Sequence, residues 1–181
     1  MGAAGDLENR ILESKRLYIK PFAPEDFGKL FSLHAHPDVA KTTIDGIQNK
    51  EAVQKDLDSF IDHQNEHGYS QWAVYEKNSD AFIGRAGITK RALNKEVGVN
   101  SEVRFAFLPD SWGNGYASEV ALAIKECARD NLKLKKITAS TNPVNKASMR
   151  VLEKVGFKYS GLIIPKGYGR KMEITYYELI F

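Results

Sequence analysis

The 181-residue sequence has a single cysteine, no long apolar run and no tract rich in proline, glycine or serine. The lone Cys127 excludes an intrachain disulfide and a cysteine-based zinc finger, and it favours a reducing, cytoplasmic setting. No run approaches the roughly 18 apolar residues of a membrane span, so we expect no membrane association. Because linkers and repeats are also missing, we expect one domain over residues 1–181, with residues 1–10 as a flexible lead-in.

The sequence also has little excess charge. Its 26 lysines and arginines stand against 23 aspartates and glutamates, which gives a formal net charge of +3. A nucleic-acid-binding domain carries a concentrated basic patch or stripe, so this small excess argues against DNA or RNA as a partner. Hydrophobic residues make up 43% of the chain, which is enough for a packed core and excludes disorder for most of it.

The spacing of apolar residues predicts a mixed α/β sheet with flanking helices, in the order βααββββαβαββ. Strands are predicted at residues 17–21, 71–75, 81–88, 102–108, 136–140, 157–164 and 172–181. Helices are predicted from residue 24 to about 36, from 50 to about 67, from 116 onward and over 145–155. The polar stretch 92–100 predicts a loop.

A glycine-rich turn between a strand and a helix is the most informative stretch. Gly113, Asn114 and Gly115 precede the helix predicted from Tyr116, which places unpaired backbone N–H groups and the positive end of the helix dipole together. Such a turn binds anions, and glycine lets the backbone approach a phosphate closely. A plain strand-to-helix turn is the alternative.

Two common phosphate loops do not fit these residues. A Walker A loop needs Gly-Lys-Ser/Thr at its end, where this chain has Gly115-Tyr116-Ala117. A dinucleotide-binding turn needs a third Gly or Ala where Ser118 stands, and an acidic residue about twenty positions later, where this chain has lysines.

A third pattern fits more of the chain. The segment from Trp112 to Glu119 resembles the acetyl-CoA loop of the GNAT acetyltransferases, Arg/Gln-x-x-Gly-x-Gly/Ala, with Gly115 and Ala117 at its last two places. Trp112 occupies the Arg/Gln place, which is similar to the branch that acetylates the N-termini of ribosomal proteins. Further segments resemble that branch in the expected order, at residues 12–21, 24–26, 82–87, 145–148 and 151–157.

The resemblance implies a GNAT (acyl-CoA N-acyltransferase) fold, a bent, mixed, mostly antiparallel sheet flanked by helices. The sheet would splay between strands 102–108 and 136–140, and the pantetheine arm of acetyl-CoA would lie in the opening. The backbone near Phe107 or Leu108 would supply the donor for the oxyanion, and Asn145 would reach the pantetheine arm or cap a helix. The residues implied in acetyl-CoA binding are Phe107, Leu108, Trp112, Gly113, Asn114, Gly115, Tyr116, Ala117, Ser118 and Asn145.

Two residues are candidates for the catalytic proton transfers. The resemblance puts Glu102 at the start of the splayed strand, facing the acceptor site, where it could take a proton from the amine through a water or hold its ammonium form; a solvated strand-end carboxylate is the alternative. Many GNAT enzymes protonate the thiolate with a tyrosine at the position that Leu152 fills here. Ser148, four residues earlier on the same helix face, resembles the serine that the ribosomal-protein branch offers instead, or it caps the helix.

The resulting hypothesis is an acetyl-CoA-dependent N-acetyltransferase that acts on a primary amine, possible acceptors being a protein N-terminus or a small molecule such as a polyamine, amino sugar or antibiotic. A non-catalytic acyl-CoA-binding module is the alternative, and an RNA binder is suggested only by the slight basicity. The acceptor site would lie around residues 42–47 and 165–170, in a monomer or homodimer. His63 and His67 have the spacing of metal ligands, but no third ligand clusters with them, so we predict no metal.

Overall fold

The computed structural model of the chain describes residues 10–95, 97–165 and 173–181. Its strands are β1 Leu12–Glu13, β2 Leu17–Pro21, β3 Gln71–Glu76, β4 Phe82–Ala92, β5 Val99–Phe107, β6 Lys136–Thr141, β7 Lys158–Ile163 and β8 Ile174–Ile180. Its helices are α1 Phe27–His34, α2 Pro37–Thr42, α3 Lys50–His67, α4 Tyr116–Asp130 and α5 Lys146–Val155. None of the helices in these ranges is long and apolar enough to cross a membrane.

The described strands form one sheet in the order β1-β2-β3-β4-β5-β6-β8-β7. Neighbouring strands are antiparallel except β5 and β6, which run parallel and pair at a single position, Glu102 with Thr138. Beyond that position the two strands diverge towards their C-terminal ends. This confirms the mixed, mostly antiparallel sheet and the splay that the resemblance implied.

Each face of the sheet is covered by a different set of helices. On one face α4 and α5 pack over the main core, to which α4 contributes Val120, Ala121, Ile124 and Ala128. On the other face α1 and α3 pack over a second cluster of apolar residues, mainly aromatic and leucine side chains. Cys127 is buried on α4, and its burial raises the pKa of the thiol, in keeping with a packing role.

Local signals explain where α3 begins and ends. Asn49 caps it by accepting a hydrogen bond from the Ala52 N–H at 2.9 Å, and Gly68 ends it in the left-handed conformation at φ 75°. Its buried face consists of Val53, Leu57 and Phe60. The helix predicted from 50 to about 67 is confirmed.

Four details of the predicted order are wrong. The first helix ends at His34, and a separate helix α2 starts at Pro37, where the proline takes a first-turn position and His36 caps the Asp38 N–H at 3.2 Å. A short β1 precedes β2, and three strands lie between α3 and α4 in the part of the chain described, which matches the predicted ranges and is one fewer than the predicted order gave. The expected loop 92–100 is shorter because β5 begins at Val99, which puts Glu102 well inside its strand.

Candidate functional site

A cavity of about 420 Å³ opens where β5 and β6 diverge. The starts of α4 and α5, the end of α2 and the C-terminal parts of both strands line it. Side chains alternate across a strand, so Val103, Phe105 and Phe107 of β5 lie on the α4 side while Arg104 and Ala106 lie on the other. Because residues of both sets line the cavity, it passes through the sheet.

The glycine turn forms one end of this cavity. Gly113 and Gly115 are both left-handed, at φ 77° and 78°, and the first α-helical hydrogen bond of α4 runs from the Glu119 N–H to the Gly115 carbonyl oxygen at 3.1 Å. The N–H groups of the three residues before Glu119 therefore have no acceptor within the helix and point out of its positive end. This geometry suits a phosphate or pyrophosphate.

Arg16 and Glu119 support the glycine turn, and sequence reasoning missed both. A Glu119 carboxylate oxygen accepts from the Ser14 hydroxyl and from the Arg16 backbone N–H, both at 2.7 Å, while the other accepts from Arg16 Nε at 2.7 Å. The Arg16 guanidinium lies over the Tyr116 ring, and its Nη2 is 3.7 Å from where a Cβ on Gly115 would stand. A cationic side chain is thus placed beside the anion-binding turn.

Glu119→Gln tests this support through pH. Burial opposes ionisation of Glu119, but the hydrogen bonds from Ser14 and Arg16 outweigh it and lower its pKa below the usual 4.5. A lowered pKa adds stability above the unfolded-state pKa and loses it as pH falls through the folded value. We expect the variant to lose about 1–3 kcal/mol of unfolding free energy at pH 7. Thermal unfolding is measured from pH 7 to pH 3. The difference in stability between the variant and the wild type should shrink below pH 4.5, and a difference that does not change with pH would contradict the stabilising role of the ionised Glu119.

Trp112 connects the glycine turn to the end of β5 through a hydrogen bond. Its indole Nε1 donates to the Phe107 carbonyl oxygen at 2.8 Å, which satisfies an acceptor that would otherwise face the splay. The Leu108 N–H donates to the Ile83 carbonyl oxygen at 2.9 Å, and Leu108 does not line the cavity, so Leu108 cannot be the oxyanion donor. Hydrogen-bonding direction alternates along an antiparallel strand, so the Phe107 N–H points away from β4 and towards the opening.

Glu102 lies deeper than expected. Its side chain is fully buried and does not line the cavity, so the prediction that it faces the acceptor site is wrong. One carboxylate oxygen accepts from Arg91 Nη1 at 3.1 Å, and the other accepts from the Ser140 hydroxyl. Ser140 of β6 does line the cavity, so this hydrogen bond connects the buried carboxylate to a lining residue.

The start of α5 carries the other polar candidates. Asn145 caps the helix by accepting from the Ser148 N–H at 3.0 Å, and its amide donates to the Thr42 carbonyl oxygen at 3.2 Å. Ser148 is therefore not the cap. Ser148 lines the cavity, one helical turn before Leu152. Leu152 is buried, and it occupies the position at which many GNAT enzymes are expected to have a tyrosine.

The cavity brings together most of the predicted cofactor-binding residues. Those that line it are Phe107, Trp112, Gly113, Gly115, Tyr116, Ala117, Ser118 and Asn145, together with the catalytic candidate Ser148. Asn114 is exposed and lies outside it, donating to the Trp112 carbonyl oxygen at 3.3 Å. Of the segment 42–47 predicted for the acceptor site, Thr42, Thr43 and Ile44 line the cavity and the other three residues do not, whereas most of the predicted segment 165–170 falls outside the described residues.

The described residues contain no group of three or more potential metal ligands. Both ring nitrogens of His63 have partners within the protein, since Nδ1 contacts the Tyr69 carbonyl oxygen at 2.6 Å and Nε2 accepts from the Lys90 N–H at 3.0 Å.

Known proteins share both the sequence pattern and the fold. Residues 16–158 match the acetyltransferase (GNAT) domain. The uncharacterized N-acetyltransferase YnaD of Bacillus subtilis (strain 168) is 28% identical over 160 residues, which cover 86% of this chain and 89% of YnaD. The solved structure of RimL, a ribosomal-protein α-N-acetyltransferase in complex with coenzyme A, has a TM-score of 0.76 at 16% identity and covers 95% of this chain and 98% of its own.

Another solved structure of this fold is that of an enzyme with a different acceptor. The spermidine N-acetyltransferase of Vibrio cholerae, in complex with coenzyme A and spermine, has a TM-score of 0.71 at 14% identity and covers 91% of this chain and 95% of its own. At these identities the two structures show the shared fold. Because the family match spans most of the sequence, the chain belongs to the GNAT family of acetyltransferases.

Proposed function

We propose that this acetyltransferase moves an acetyl group from acetyl-CoA directly to a primary amine held at the α2 end of the cavity. The observation that carries the proposal is the cavity itself, which runs from the anion-binding turn through the splayed sheet to Thr42 and Thr43. The pyrophosphate would bind the N–H groups at the start of α4, and the pantetheine arm would lie between β5 and β6. The thioester would then reach the middle of the sheet.

Transfer requires three events at the thioester carbon. The neutral amine nitrogen attacks the carbonyl carbon, negative charge develops on the oxygen, and the carbon–sulfur bond breaks to release the thiolate of CoA. The Phe107 N–H, directed towards the opening, is suited to stabilise the developing oxyanion. Ser148 lines the cavity, and its hydroxyl is suited to give its proton to the departing thiolate while it takes the proton that the attacking nitrogen loses, which leaves the serine unchanged.

An acceptor that arrives as an ammonium ion must lose a proton before it attacks, and Glu102 would accept that proton through Ser140. The Ser140 hydroxyl donates to Glu102, and Ser140 lines the cavity, so in this proposal its oxygen accepts a hydrogen bond from an ammonium or a bridging water. The ammonium would give a proton to the Ser140 oxygen while the hydroxyl proton of Ser140 moves to Glu102. The amine is then neutral and the serine is unchanged. This proposal retains the predicted role of Glu102 and names Ser140 as the intermediary.

The test measures acetyl-CoA binding by calorimetry and thiol release with a panel of amines. The panel contains peptides with free N-termini, spermidine, amino sugars and free amino acids. We expect saturable binding of acetyl-CoA and release of one thiol for each acetylated amine, identified by mass spectrometry. Binding of acetyl-CoA without thiol release on any amine would contradict the proposal and favour a non-catalytic acyl-CoA-binding module. The feature that favours this alternative is Leu152, which stands where a tyrosine was expected.

A further inference from the structure

The charges that line the cavity have one sign. Among its described lining residues are two arginines, Arg85 and Arg104, and no aspartate or glutamate. Arg104 is already paired, since its Nη2 lies 3.0 Å from a carboxylate oxygen of Asp45. Glu102, the nearest buried carboxylate on the same strand, is kept from the cavity by its contacts with Arg91 and Ser140.

Arg85 lies on the acceptor side of the sheet. It pairs with Ala106 across the β4–β5 ladder, and paired residues share a face, so its side chain lies on the face of Arg104 and opposite α4. This is the face to which α1 contributes His34. An arginine here is close to the acceptor end of the cavity and separated by the sheet from the glycine turn that suits the pyrophosphate.

The guanidinium of Arg85 is held by two neutral acceptors. Its Nε donates to His34 Nε2 at 2.8 Å, and its Nη1 donates to the side-chain oxygen of Gln71 at 2.7 Å. Among the described residues Nη2 has no hydrogen-bond partner, although Arg85 is only 4% exposed. Two of the three guanidinium nitrogens are thus fixed to the protein, the guanidinium carbon lies 5.9 Å from the centre of the Phe60 ring, and Arg85 is among the residues that line the cavity.

A chain of hydrogen bonds fixes this orientation. Because His34 Nε2 accepts from Arg85, its proton is on Nδ1, which contacts the Gln48 side-chain oxygen and lies 3.4 Å from a carboxylate oxygen of Asp56. Burial lowers the pKa of His34, in keeping with a neutral ring. Burial also lowers the pKa of Arg85 to about 9, so the guanidinium keeps its charge at neutral pH.

We propose that the acceptor amine carries a carboxylate and that Arg85 binds it through Nη2, which makes Arg85 a specificity-determining residue. The inference rests on the proposed acetyl transfer and names the class of its acceptor. A buried cation without a direct anionic partner is costly, and a carboxylate in the cavity would offset that cost with a charge-assisted hydrogen bond. A polyamine would bring further positive charge towards Arg85 and Arg104 and find no lining carboxylate among the described residues.

The experiment compares acceptors that differ only in the carboxylate. Thiol release is measured with each free amino acid and its α-carboxamide, leaving out proline, a secondary amine, and cysteine, itself a thiol. It is also measured with tetrapeptide amides that begin Ala-Glu or Ala-Gln, and with spermidine. We expect at least one carboxylate member to exceed its neutral partner by about tenfold or more in kcat/KM. The carboxamides have more of their amine in the neutral form, so intrinsic reactivity would favour the opposite order. The amino-acid and peptide pairs distinguish a free carboxylate from one in a peptide side chain.

Arg85→Gln should reduce that ratio towards one, while the exposed Arg129→Gln on α4, the same substitution outside the cavity, should keep it. Acetyl-CoA binding and thermal unfolding report whether Arg85→Gln folds, and the wild-type ratio stands as a test if it does not. Equal rates for every acid and amide pair, or a preference for spermidine, would overturn the carboxylate assignment while leaving acetyl transfer intact. Absence of turnover on all amines would instead overturn the proposed function.

Discussion

Replacing Gly115 with valine is expected to weaken acetyl-CoA binding about a hundredfold. Gly115 has φ 78°, a conformation that a β-branched residue adopts only with strain, and it precedes the first residue of α4. A side chain here would also approach Arg16 Nη2, which lies 3.7 Å from the Cβ position. The turn would open, and the N–H groups of α4 would lose their common direction. Calorimetric titration with acetyl-CoA measures the effect.

Gly68→Val is the matched control for this substitution. Gly68 ends α3 at φ 75°, has open space at its Cβ position, and does not line the cavity. The two variants should therefore lose similar thermal stability because both force valine into left-handed backbone. Only Gly115→Val should lose acetyl-CoA affinity. Unchanged affinity in that variant, or an equal loss in both, would remove the glycine turn from the cofactor site.

Glu102→Gln is expected to lower kcat by about a hundredfold with little change in acetyl-CoA affinity. The glutamine cannot accept the proton that Ser140 would pass on. The deficit should be greatest at low pH, where the acceptor is an ammonium ion, and should shrink once the pH exceeds the amine's own pKa, which is about 8 for an α-amino group. Initial rates of thiol release from pH 6 to pH 9.5 give the profile.

Two further variants separate proton transfer from a structural role of Glu102. Ser140→Ala removes the intermediary and should give a pH profile of the same shape. Glu178→Gln removes a carboxylate that pairs with Lys136 at 2.9 Å on the neighbouring β8, outside the cavity, and should leave the rate near that of the wild type. A small, pH-independent loss in both Glu102→Gln and Ser140→Ala would contradict proton transfer through this pair.

Local chemistry explains why much of the fold was predictable. Asn49 and Gly68 mark the ends of α3 through a side-chain cap and a left-handed turn, and neither signal depends on distant parts of the chain. The glycine turn is similar, since Gly113 and Gly115 adopt the left-handed backbone that glycine favours, next to a helix with a strong apolar face. The start of α2 carries a similar signal in the sequence, a proline after a capping side chain, but the helix is too short for apolar periodicity to reveal.

The site depends more on contacts between residues far apart in the sequence. The sequence shows that Glu102 is a charged residue in a predicted strand. Its burial, however, depends on Arg91 and Ser140, which lie 11 and 38 residues away in the sequence. In the sequence, Arg85 is an ordinary residue of a predicted strand. Its hydrogen bond to His34 of α1, which lies 51 residues away in the sequence, becomes evident only in the folded structure. Hydrogen bonds that join residues of two strands and a helix produce no pattern of residue spacing in the sequence. These hydrogen bonds are what distinguishes the buried Arg85 from a surface arginine.

The most direct test of the proposed cofactor site is a crystal structure of the protein with acetyl-CoA bound. We predict density for the pyrophosphate on the N–H groups from Gly113 to Ser118, the pantetheine arm between β5 and β6, and the thioester oxygen within hydrogen-bond distance of the Phe107 N–H. A pyrophosphate bound elsewhere, or a pantetheine arm outside the splay of β5 and β6, would contradict it.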